Sequence, residues 1–511
     1  MRSDSHSAFL LKAAIWLGWI AVAVNVALMA ARAATAISFS EPLFVVTSGA
    51  EEDSALSFWK YIDGRTVFED PHRLPFVGAA YNWLYYAFYG EAIRPILRVF
   101  DLGYEWLPTI GRYVSIVITA ICAGVAVFTL RRIGPTESGL RQHLILFGLF
   151  LFLGPLVGFW AISLNVELAA TLCALLAAAA IFQLFDTRPM AAVVLACVFG
   201  YLAWSFKQSH IFVAGALVLF LLVRREWRLL VVVLFFFGLG WGAAMVIGSE
   251  AYLKMLLFKG TDKTLELGRL NINLRNLVLK TTPVLAAAAL LLVPLFRAQY
   301  RISDIRNSTP VFFSLCGVIV TALTIPMSAK QGASENYYFV FIVFLVLLIF
   351  AVLRALQDRD LDLRPWHGLL CFGWILNIVA TLSVLTGMNG VVSVKSWHDQ
   401  HIAARPCVQE LPGPMLPVLN PYFTLPWMSK AEPRFNVFYN YPYDRRAKRW
   451  FEFDGLNGLV KNGYFAAILL SPGDNTTVDG ASLSGHYREI ADYCPQHPMS
   501  LFLRNGLPDP K

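Results

Sequence analysis

Long apolar runs separated by short polar connections dominate the chain. A bilayer core about 30 Å thick requires about 20 apolar residues for each crossing helix. Runs near this length, free of Lys, Arg, Asp and Glu, lie at 13–31, 113–130, 144–164, 168–185, 190–206, 211–223, 229–248, 283–296, 311–325, 337–353 and 366–386. The pattern predicts eleven transmembrane helices, the first of them retained in the mature protein, with 211–223 the weakest because it is short.

The basic residues predict the orientation of these helices. Lys and Arg accumulate in short cytoplasmic loops, and alternate connections contain them, at 131–141, 188, 224–228, 297–306 and 354–364. The N-terminus is therefore predicted inside and the C-terminus outside. The longest loops, among them the first external loop at 35–109, then lie on the external face, where we expect any chemistry.

Composition agrees with a membrane protein. Of 511 residues, 57% are hydrophobic and 15% charged, and the mean hydropathy is +0.57. The net charge of +8 is spread through the connections, which indicates topology and lipid headgroup contact. Because the basic residues form no block, we assign no nucleic-acid partner.

Composition changes after the last apolar run, so the chain divides into a membrane region at 1–387 and a domain at 388–511. The second part is rich in Pro, Asn, Asp and aromatic residues. Within it, 455–462 resembles a short helix and 463–472 a buried strand, which predicts a soluble α/β domain. Cys407 and Cys494 fall in this external domain, where an oxidising compartment allows a disulfide.

The first external loop contains two segments of helical character. The stretch 51–62 interleaves apolar and polar residues, and Gly64 and Asp70-Pro71 interrupt the chain after it. The aromatic stretch 81–89 is too short to cross the bilayer. Because Tyr and Trp prefer the membrane interface, we expect it to form an interfacial or re-entrant helix.

Carboxylates at the external boundary are the first candidates for chemistry. Glu51, Glu52 and Asp53 follow the first span, and Glu167 lies in the turn between the third and fourth spans. Adjacent carboxylates raise the proton affinity of at least one of them, as a general base requires. The alternative is that these acids only stabilise helix N-termini.

Two further external turns contain cations. One contains Lys207, Gln208 and His210, and the other runs from Lys330 to Tyr338 through Asn336 and Tyr337. Such groups can bind phosphate through charge-assisted hydrogen bonds, and the excess of Lys and Arg at 249–282 also suits an anionic lipid-linked ligand. Alternatively, the lysines are interfacial anchors and the aromatics an interfacial belt. No Cys or second His stands at metal-ligand spacing from His210.

These pieces together resemble the GT-C superfamily of membrane glycosyltransferases, in particular the bacterial ArnT/PMT-like group, which use polyprenyl-phosphate-linked sugars. The resemblance rests on the order and spacing, over most of the membrane region, of Ser48-Gly-Ala-Glu-Glu-Asp53, Gly64, Asp70-Pro71, Pro75, Tyr81, Glu167, Lys207-Gln208 and Lys330-Gln-Gly-Ala-Ser-Glu-Asn-Tyr337. Many relatives have Asp-Glu where this loop has Glu-Glu-Asp, so the resemblance leaves open which acid is the base.

The resemblance implies roles for individual residues. Glu51, Glu52, Asp53 and Glu167 form the catalytic set, because in the superfamily an acid of the first external loop is the base and a second acid follows the third span. Donor phosphate is then bound by Lys207, Gln208, Lys330 and Tyr337. Acceptor or donor positioning falls to Tyr81, Tyr85, His210 and Asn336. No cofactor is implied with certainty, and a divalent cation is left open.

The resulting hypothesis is an inverting glycosyltransferase of the bacterial inner membrane whose active site faces the periplasm. Its partners are a polyprenyl-phosphate-linked sugar, membrane lipids and an acceptor glycan, lipid or protein. The alternative is a transporter or flippase for a lipid or small solute. Transporters typically bind at the midplane on broken helices of two related halves, whereas here the ionisable residues gather at one face. A third possibility is a scaffold whose external domain binds a partner.

Overall fold

A computed structural model describes most of the chain. The described residues are 2–37, 50–258, 265–297, 302–330, 332–357, 363–387, 391–418, 421–435, 441–470, 483, 485–491, 493–494 and 499–510. Ser48 and Gly49 of the motif named above lie outside them.

Helices of the membrane region and first loop are numbered in chain order. They are α1 Arg2–Ala36, α2 Ala50–Ile62, α3 Trp83–Val99, α4 Leu107–Ile133, α5 Ser138–Leu153, α6 Glu167–Leu184, α7 Pro189–Phe206, α8 Ile211–Arg224, α9 Trp227–Ile247, α10 Glu250–Phe258, α11 Leu267–Lys280, α12 Thr282–Arg297, α13 Ile302–Asn307, α14 Thr309–Thr321, α15 Thr324–Met327, α16 Phe339–Leu356 and α17 Arg364–Thr386. Short 3-10 helices occupy Tyr104–Trp106, Gly158–Ile162, Gln208–His210 and Glu335–Tyr338.

Each of the eleven predicted runs overlaps a helix, and the chain is an α-helical polytopic membrane protein. Within the described ranges, eight helical segments are long and apolar enough to cross a membrane, and the apolar helices at Ser138–Leu153 and Gln208–Arg224 are shorter. Length alone therefore supports fewer crossings than the eleven predicted.

The predicted third span, 144–164, is wrong beyond Leu153. Helix α5 ends there because Gly154, in an extended conformation, follows it, and Pro155 cannot donate the next backbone hydrogen bond. The chain continues through a 3-10 helix at Gly158–Ile162. Residues 163–166 are thereby free of regular helix and lead directly into Glu167 at the start of α6.

Connections predicted on the cytoplasmic face contact one another. Arg354 Nη1 donates to Thr136 Oγ1 at 2.7 Å, and Arg224 Nη2 donates to the Arg306 carbonyl oxygen at 2.9 Å. Thr309 Oγ1 likewise donates to Asp186 Oδ1 at 2.6 Å. Helix ends of the same predicted face thus meet at one end of the bundle. Which face of the membrane this end occupies stays a prediction.

A buried polar contact joins α1 to α17. Asn25 Nδ2 donates to Asn377 Oδ1 at 2.9 Å, and Thr381 Oγ1 donates to Asn25 Oδ1 at 3.0 Å. Interhelical hydrogen bonds of this kind stabilise helix association where lipid removes the usual hydrophobic driving force. The first and last helices of the membrane region are therefore neighbours.

Two helices of the first external loop pack on each other through aromatic rings. Phe58 of α2 stacks on Tyr89 of α3 with ring centroids 5.1 Å apart and meets Tyr85 edge-on at 4.9 Å. Helix α3 extends to Val99, well beyond the predicted stretch 81–89, and Tyr85, Tyr86 and Tyr89 are fully buried. These tyrosines stabilise the packing of the loop. The preference of tyrosine for the membrane interface did not predict this role.

The C-terminal region continues through helix α18 Val391–Gln409 and forms a small α/β domain. Its other elements are β1 Met415–Pro417, α19 Tyr441–Arg446, α20 Gly455–Lys461, β2 Ala467–Leu470, β3 Tyr487–Ile490 and β4 Ser500–Arg504, with 3-10 helices at Pro421–Thr424 and Glu452–Asp454. The sheet order is β1-β2-β4-β3, with β1 parallel to β2 and the other pairs antiparallel.

The predicted helix-then-strand unit is present as α20 and β2. All four side chains of β2 are buried, as expected for the predicted strand, although residues 471 and 472 of that prediction lie outside the described residues. A disulfide joins Cys407, at the end of α18, to Cys494, with Cα atoms 6.0 Å apart. It ties the sheet region to the helix that follows the membrane bundle.

The first external loop docks onto this domain. Leu74 donates its N–H to Glu452 Oε2 at 3.0 Å, and Glu452 donates its N–H to the His72 carbonyl oxygen at 2.9 Å. Phe76 is buried in the same hydrophobic cluster as Tyr441 and Phe451. The domain therefore lies over the loop that contains the acidic cluster.

Candidate active site

Glu51 is held in a buried ion pair. In the first turn of α2, its Oε2 lies 3.2 Å from Nη2 of Arg112 in α4, and neither side chain is exposed to solvent. Its Oε1 also accepts the N–H of Leu164 at 2.8 Å. Arg112 donates in turn to the carbonyl oxygen of Ala36 at 2.7 Å. The charge of Glu51 is thus neutralised, and the residue joins three parts of the chain.

Glu52 is also buried, but among the described residues it lacks the charge partner and hydrogen bonds that Glu51 has. Its side chain is 1% exposed, and neither carboxylate oxygen has a hydrogen-bond partner within the described part of the chain. Burial, together with the neighbouring charges of Glu51 and Asp53, raises the pKa of Glu52 to about 8. A carboxyl group with this pKa can take up a proton near neutral pH, as a general base must. Asp53 is buried as well.

Glu167 is the centre of a second cluster. Its Oε1 accepts hydrogen bonds from Lys207 Nζ and from Asn336 Nδ2. The Lys207 ammonium also lies 4.9 Å from the ring centroid of Tyr337. Oε2 of the fully buried Glu167 has no hydrogen-bond partner among the described residues. Four residues from three separate turns predicted to be external thus meet in one place.

The irregular segment before α6 connects the two clusters. Leu164 in this segment contacts Glu51, and Asn165 Oδ1 accepts the N–H of Glu167 at 2.7 Å. Tyr89 of α3 donates its hydroxyl to the carbonyl oxygen of Asn165 at 3.1 Å. The first external loop and the turn before α6 therefore form one hydrogen-bonded unit at this end of the bundle.

Tyr81 and Tyr85 lie in the aromatic cluster of the first loop. Their ring centroids are 5.2 Å apart, and the N–H of Tyr81 donates to the hydroxyl of Tyr86 at 3.0 Å. Both rings are buried. Their contacts support the shape of the loop, and a role in positioning substrate stays a prediction.

Three other predicted residues make contacts of other kinds. Gln208 Nε2 lies 3.0 Å from Sδ of Met255, and His210 is buried with neither ring nitrogen hydrogen-bonded to the described residues. Lys330 forms a backbone bridge to Leu265, and partial burial lowers its pKa. Lys207 is the lysine that pairs with Glu167.

Sequence reasoning missed several charged residues around this site. Arg112 was not selected, although an arginine immediately before an apolar run is a signal for a buried partner. Lys60 pairs with Glu69 at 2.9 Å, and Lys254 pairs with Asp70 at 3.0 Å. The second pair attaches the first loop to α10. Across the described ranges, no group of three or more His, Cys, Asp or Glu residues could hold a metal ion.

Fold and site together define a class: a helical membrane bundle with buried carboxylates and a lysine at one end, covered by an external loop and a C-terminal α/β domain. No protein-family model and no curated protein sequence matches the chain. Solved structures do match it over most of its length.

Two of them are crystal structures of ArnT from Cupriavidus metallidurans. The apo form has 14% sequence identity and a TM-score of 0.52, covering 89% of this chain and 92% of that one. The form bound to undecaprenyl phosphate has 14% identity and a TM-score of 0.54, covering 97% and 99%. At this identity the likeness establishes the fold alone, and the ArnT-like fold expected from the sequence is confirmed.

Proposed function

We propose that the protein is a glycosyltransferase that takes a sugar from a polyprenyl-phosphate lipid and transfers it, with inversion, to an envelope glycan, lipid or protein. The reaction takes place at the external face of a bacterial inner membrane. The likeness in fold to an ArnT structure that binds undecaprenyl phosphate supports this class of donor.

One observation carries the proposal: the buried pair of Glu167 and Lys207, with Asn336 and Tyr337 beside it, is connected through residues 164–165 to the acidic start of α2. This arrangement combines a cation, which can bind the donor phosphate, with carboxylates, which can accept the proton of an acceptor hydroxyl. Polar groups buried at such cost in a membrane protein generally serve function.

In the proposed reaction, an acceptor hydroxyl oxygen attacks the anomeric carbon of the donor sugar. The bond between that carbon and the phosphate oxygen breaks, and polyprenyl phosphate leaves with the electron pair. The hydroxyl proton passes to a carboxylate. A positioned base contributes about 10² to 10⁴-fold to such a step, and one displacement at the anomeric carbon inverts its configuration.

Among the four acids, Glu52 fits the base best. Its oxygens accept no hydrogen bond from the described residues, and its pKa is raised to about 8. Glu51, neutralised by Arg112, instead positions the start of α2. Glu167 and Asp53 position the acceptor, for which Glu167 Oε2 offers an acceptor atom not used by the described residues.

Lys207 is the proposed contact for the donor phosphate. An ammonium group has three N–H donors, so the hydrogen bond to Glu167 leaves others for phosphate oxygens. Gln208 follows it directly, and Tyr337 adds a phenol beneath the ammonium. Lys330 joins this set in the proposal as a second cation of the same face.

A deletion strain tests the proposal. Complementation with the wild-type gene should restore an envelope glycan, whereas the Glu52→Gln variant should leave an unused polyprenyl-phosphate sugar, both read by mass spectrometry. Glu91→Gln is the matched control, because Glu91 lies on α3 in an exposed pair with Arg94. Unchanged glycans together with altered solute uptake in the deletion strain would instead indicate a transporter.

A further inference from the structure

We propose that the C-terminal domain contains a binding site for an anionic saccharide, a sugar that carries a phosphate or carboxylate. This inference deepens the proposed function and rests on it in one respect: the saccharide is the acceptor. The site is separate from the buried carboxylates at the end of the bundle.

The site is a cavity of about 340 Å³. Its lining is polar and aromatic: Tyr441, Arg445, Arg449, Trp450, Phe451, Asp454 and Asn457. Ligand sites typically combine aromatic walls with a few polar groups that fix orientation. The cavity has the size of a small site of this kind.

Charge in the cavity favours an anion. Arg445 and Arg449 line it against one carboxylate, that of Asp454. Both arginines are exposed. The planar guanidinium group donates two parallel hydrogen bonds to phosphate or carboxylate oxygens. Arg445 and Arg449 therefore provide the anion-binding part of the site.

Aromatic residues favour a saccharide over a simple anion. Trp450 is 69% exposed, and an exposed tryptophan next to a cavity offers a flat apolar surface to the face of a sugar ring. Asn457 also lines the cavity, and its Oδ1 is buried with no hydrogen-bond partner in the part of the chain described. It can accept a sugar hydroxyl.

The backbone around the cavity adopts an unusual conformation. Lys448, Phe453 and Asp454 have φ angles of 55°, 56° and 58°, and Gly455 follows with 67°. Non-glycine residues seldom occupy this left-handed region, and such positions concentrate at ligand sites because the surroundings must hold them. The conformation brings the side chains of Asp454 and Trp450 to one cavity.

The cavity wall continues into the first external loop. Phe451 meets the His72 ring edge-on at 5.1 Å, and His72 Nε2 lies 3.3 Å from Asp444 Oδ2. The same loop begins with Glu51, Glu52 and Asp53. A saccharide held here is thus next to the loop that supplies the proposed base, which is the reason for assigning it as acceptor.

The test measures binding to the full chain in nanodiscs of zwitterionic lipid, without donor, by calorimetry. Probes are glucose 1-phosphate, glucose and inorganic phosphate. Glucose 1-phosphate should bind more tightly than either of the others, since only it satisfies both the arginines and Trp450. Arg449→Gln and Trp450→Ala should each weaken that binding by about tenfold or more.

Arg446→Gln is the matched control, because it removes the same charge from a neighbouring exposed residue that does not line the cavity. It should change the affinity less than about twofold, since charges in water are screened over about 10 Å. Trp450→Phe keeps an aromatic ring and should retain most of the binding. It also replaces Trp450→Ala if that variant fails to fold.

Several results would overturn the proposal. Inorganic phosphate binding as tightly as glucose 1-phosphate, with Trp450→Ala harmless, would indicate an anion site only. Arginine variants that change only the affinity for nanodiscs containing phosphatidylglycerol would indicate a membrane contact. Because binding is measured without donor, loss of glycosyl transfer with intact binding would count against the proposed function and not against this site.

Discussion

Oε2 of Glu51 lies 3.2 Å from Nη2 of Arg112, and both side chains are completely buried. Removing one member leaves an uncompensated charge, which costs about 3 to 5 kcal/mol in buried pairs. We therefore expect Glu51→Gln and Arg112→Met each to lower the free energy of unfolding by several kcal/mol, measured by thermal or denaturant unfolding in detergent.

Two comparisons control this experiment. Glu91→Gln removes a carboxylate from an exposed pair, so it should change stability by less than about 1 kcal/mol. The double variant Glu51→Gln/Arg112→Met should lose less free energy of unfolding than the sum of the losses in the two single variants. Single variants as stable as the wild type would mean that the pair contributes nothing to the fold.

Turnover should depend on the protonation of Glu52. Its pKa of about 8 means that the carboxylate form of the base increases as the pH rises from 6 to 9. The wild-type rate should rise over this range. Glu52→Gln should lose about 10² to 10⁴-fold at pH 9, where the carboxylate predominates, and should lose the rise with pH. If Glu52→Gln folds, binds donor and keeps full turnover, the base is another acid of the set, Glu51, Asp53 or Glu167.

The same carboxyl predicts a pH dependence of stability. The ordinary pKa of 4.5 applies to the unfolded chain and about 8 to the folded protein. Between these values the folded state binds more protons, so the contribution of this group to stability falls as the pH rises from about 4.5 to about 8. The melting temperature should differ less between pH 5 and pH 8 in Glu52→Gln than in the wild type. An identical difference in both proteins would contradict the raised pKa of Glu52.

Lys207 and Lys330 should respond differently to replacement by Met. Lys207 pairs with the buried Glu167, so Lys207→Met should lower both stability and affinity for the donor lipid. Lys330 is half-buried, and Lys330→Met should affect donor affinity far more than folding. Donor affinity is measured with polyprenyl phosphate in nanodiscs. If it is unchanged in both variants, the two lysines do not bind the donor and have structural roles only.

The disulfide between Cys407 and Cys494 closes a separation of 87 residues. Disulfides typically contribute about 2 to 4 kcal/mol to stability, so Cys494→Ser should lower the melting temperature of the C-terminal domain. Alkylation of unreduced, freshly isolated protein should leave both cysteines unlabelled. Labelling of both would show that the bond does not form in the cell.

Reporter tags test the orientation. Tags at Arg131 and Arg225 should be cytoplasmic, and a tag after Leu507 should be external, because the basic connections favour the inside. The contact between Arg354 and Thr136 requires their two connections to share a face. A cytoplasmic C-terminus would reverse the assignment of the active site to the periplasm.

Local pattern was sufficient for the helices but not for the site. The apolar runs specify where helices form because burial in lipid demands length and apolarity. The end of α5 at Leu153 was missed since the run stayed apolar through Gly154-Pro155, where backbone geometry prevailed over hydrophobicity. The α20–β2 unit was predictable because glycines separate a short amphipathic stretch from an apolar one.

The sequence did not predict which side chains from distant parts of the chain contact one another. Glu51 and Arg112 are 61 residues apart, and Asn336 and Glu167 are 169 apart. Topology placed the external turns on one face without indicating which would touch. Nothing in the sequence separates the neutralised Glu51 from the unsatisfied Glu52, because that distinction depends on which face of α2 meets α4.

Phe76, from the first external loop, is part of the hydrophobic cluster of the C-terminal domain together with Leu416 and Ile468. During synthesis the loop leaves the ribosome long before those residues do. The apolar side chain of Phe76 therefore stays uncovered by this cluster until the last quarter of the chain has been made. Completion of the cluster is a late event in folding, so early and late parts of the chain depend on each other.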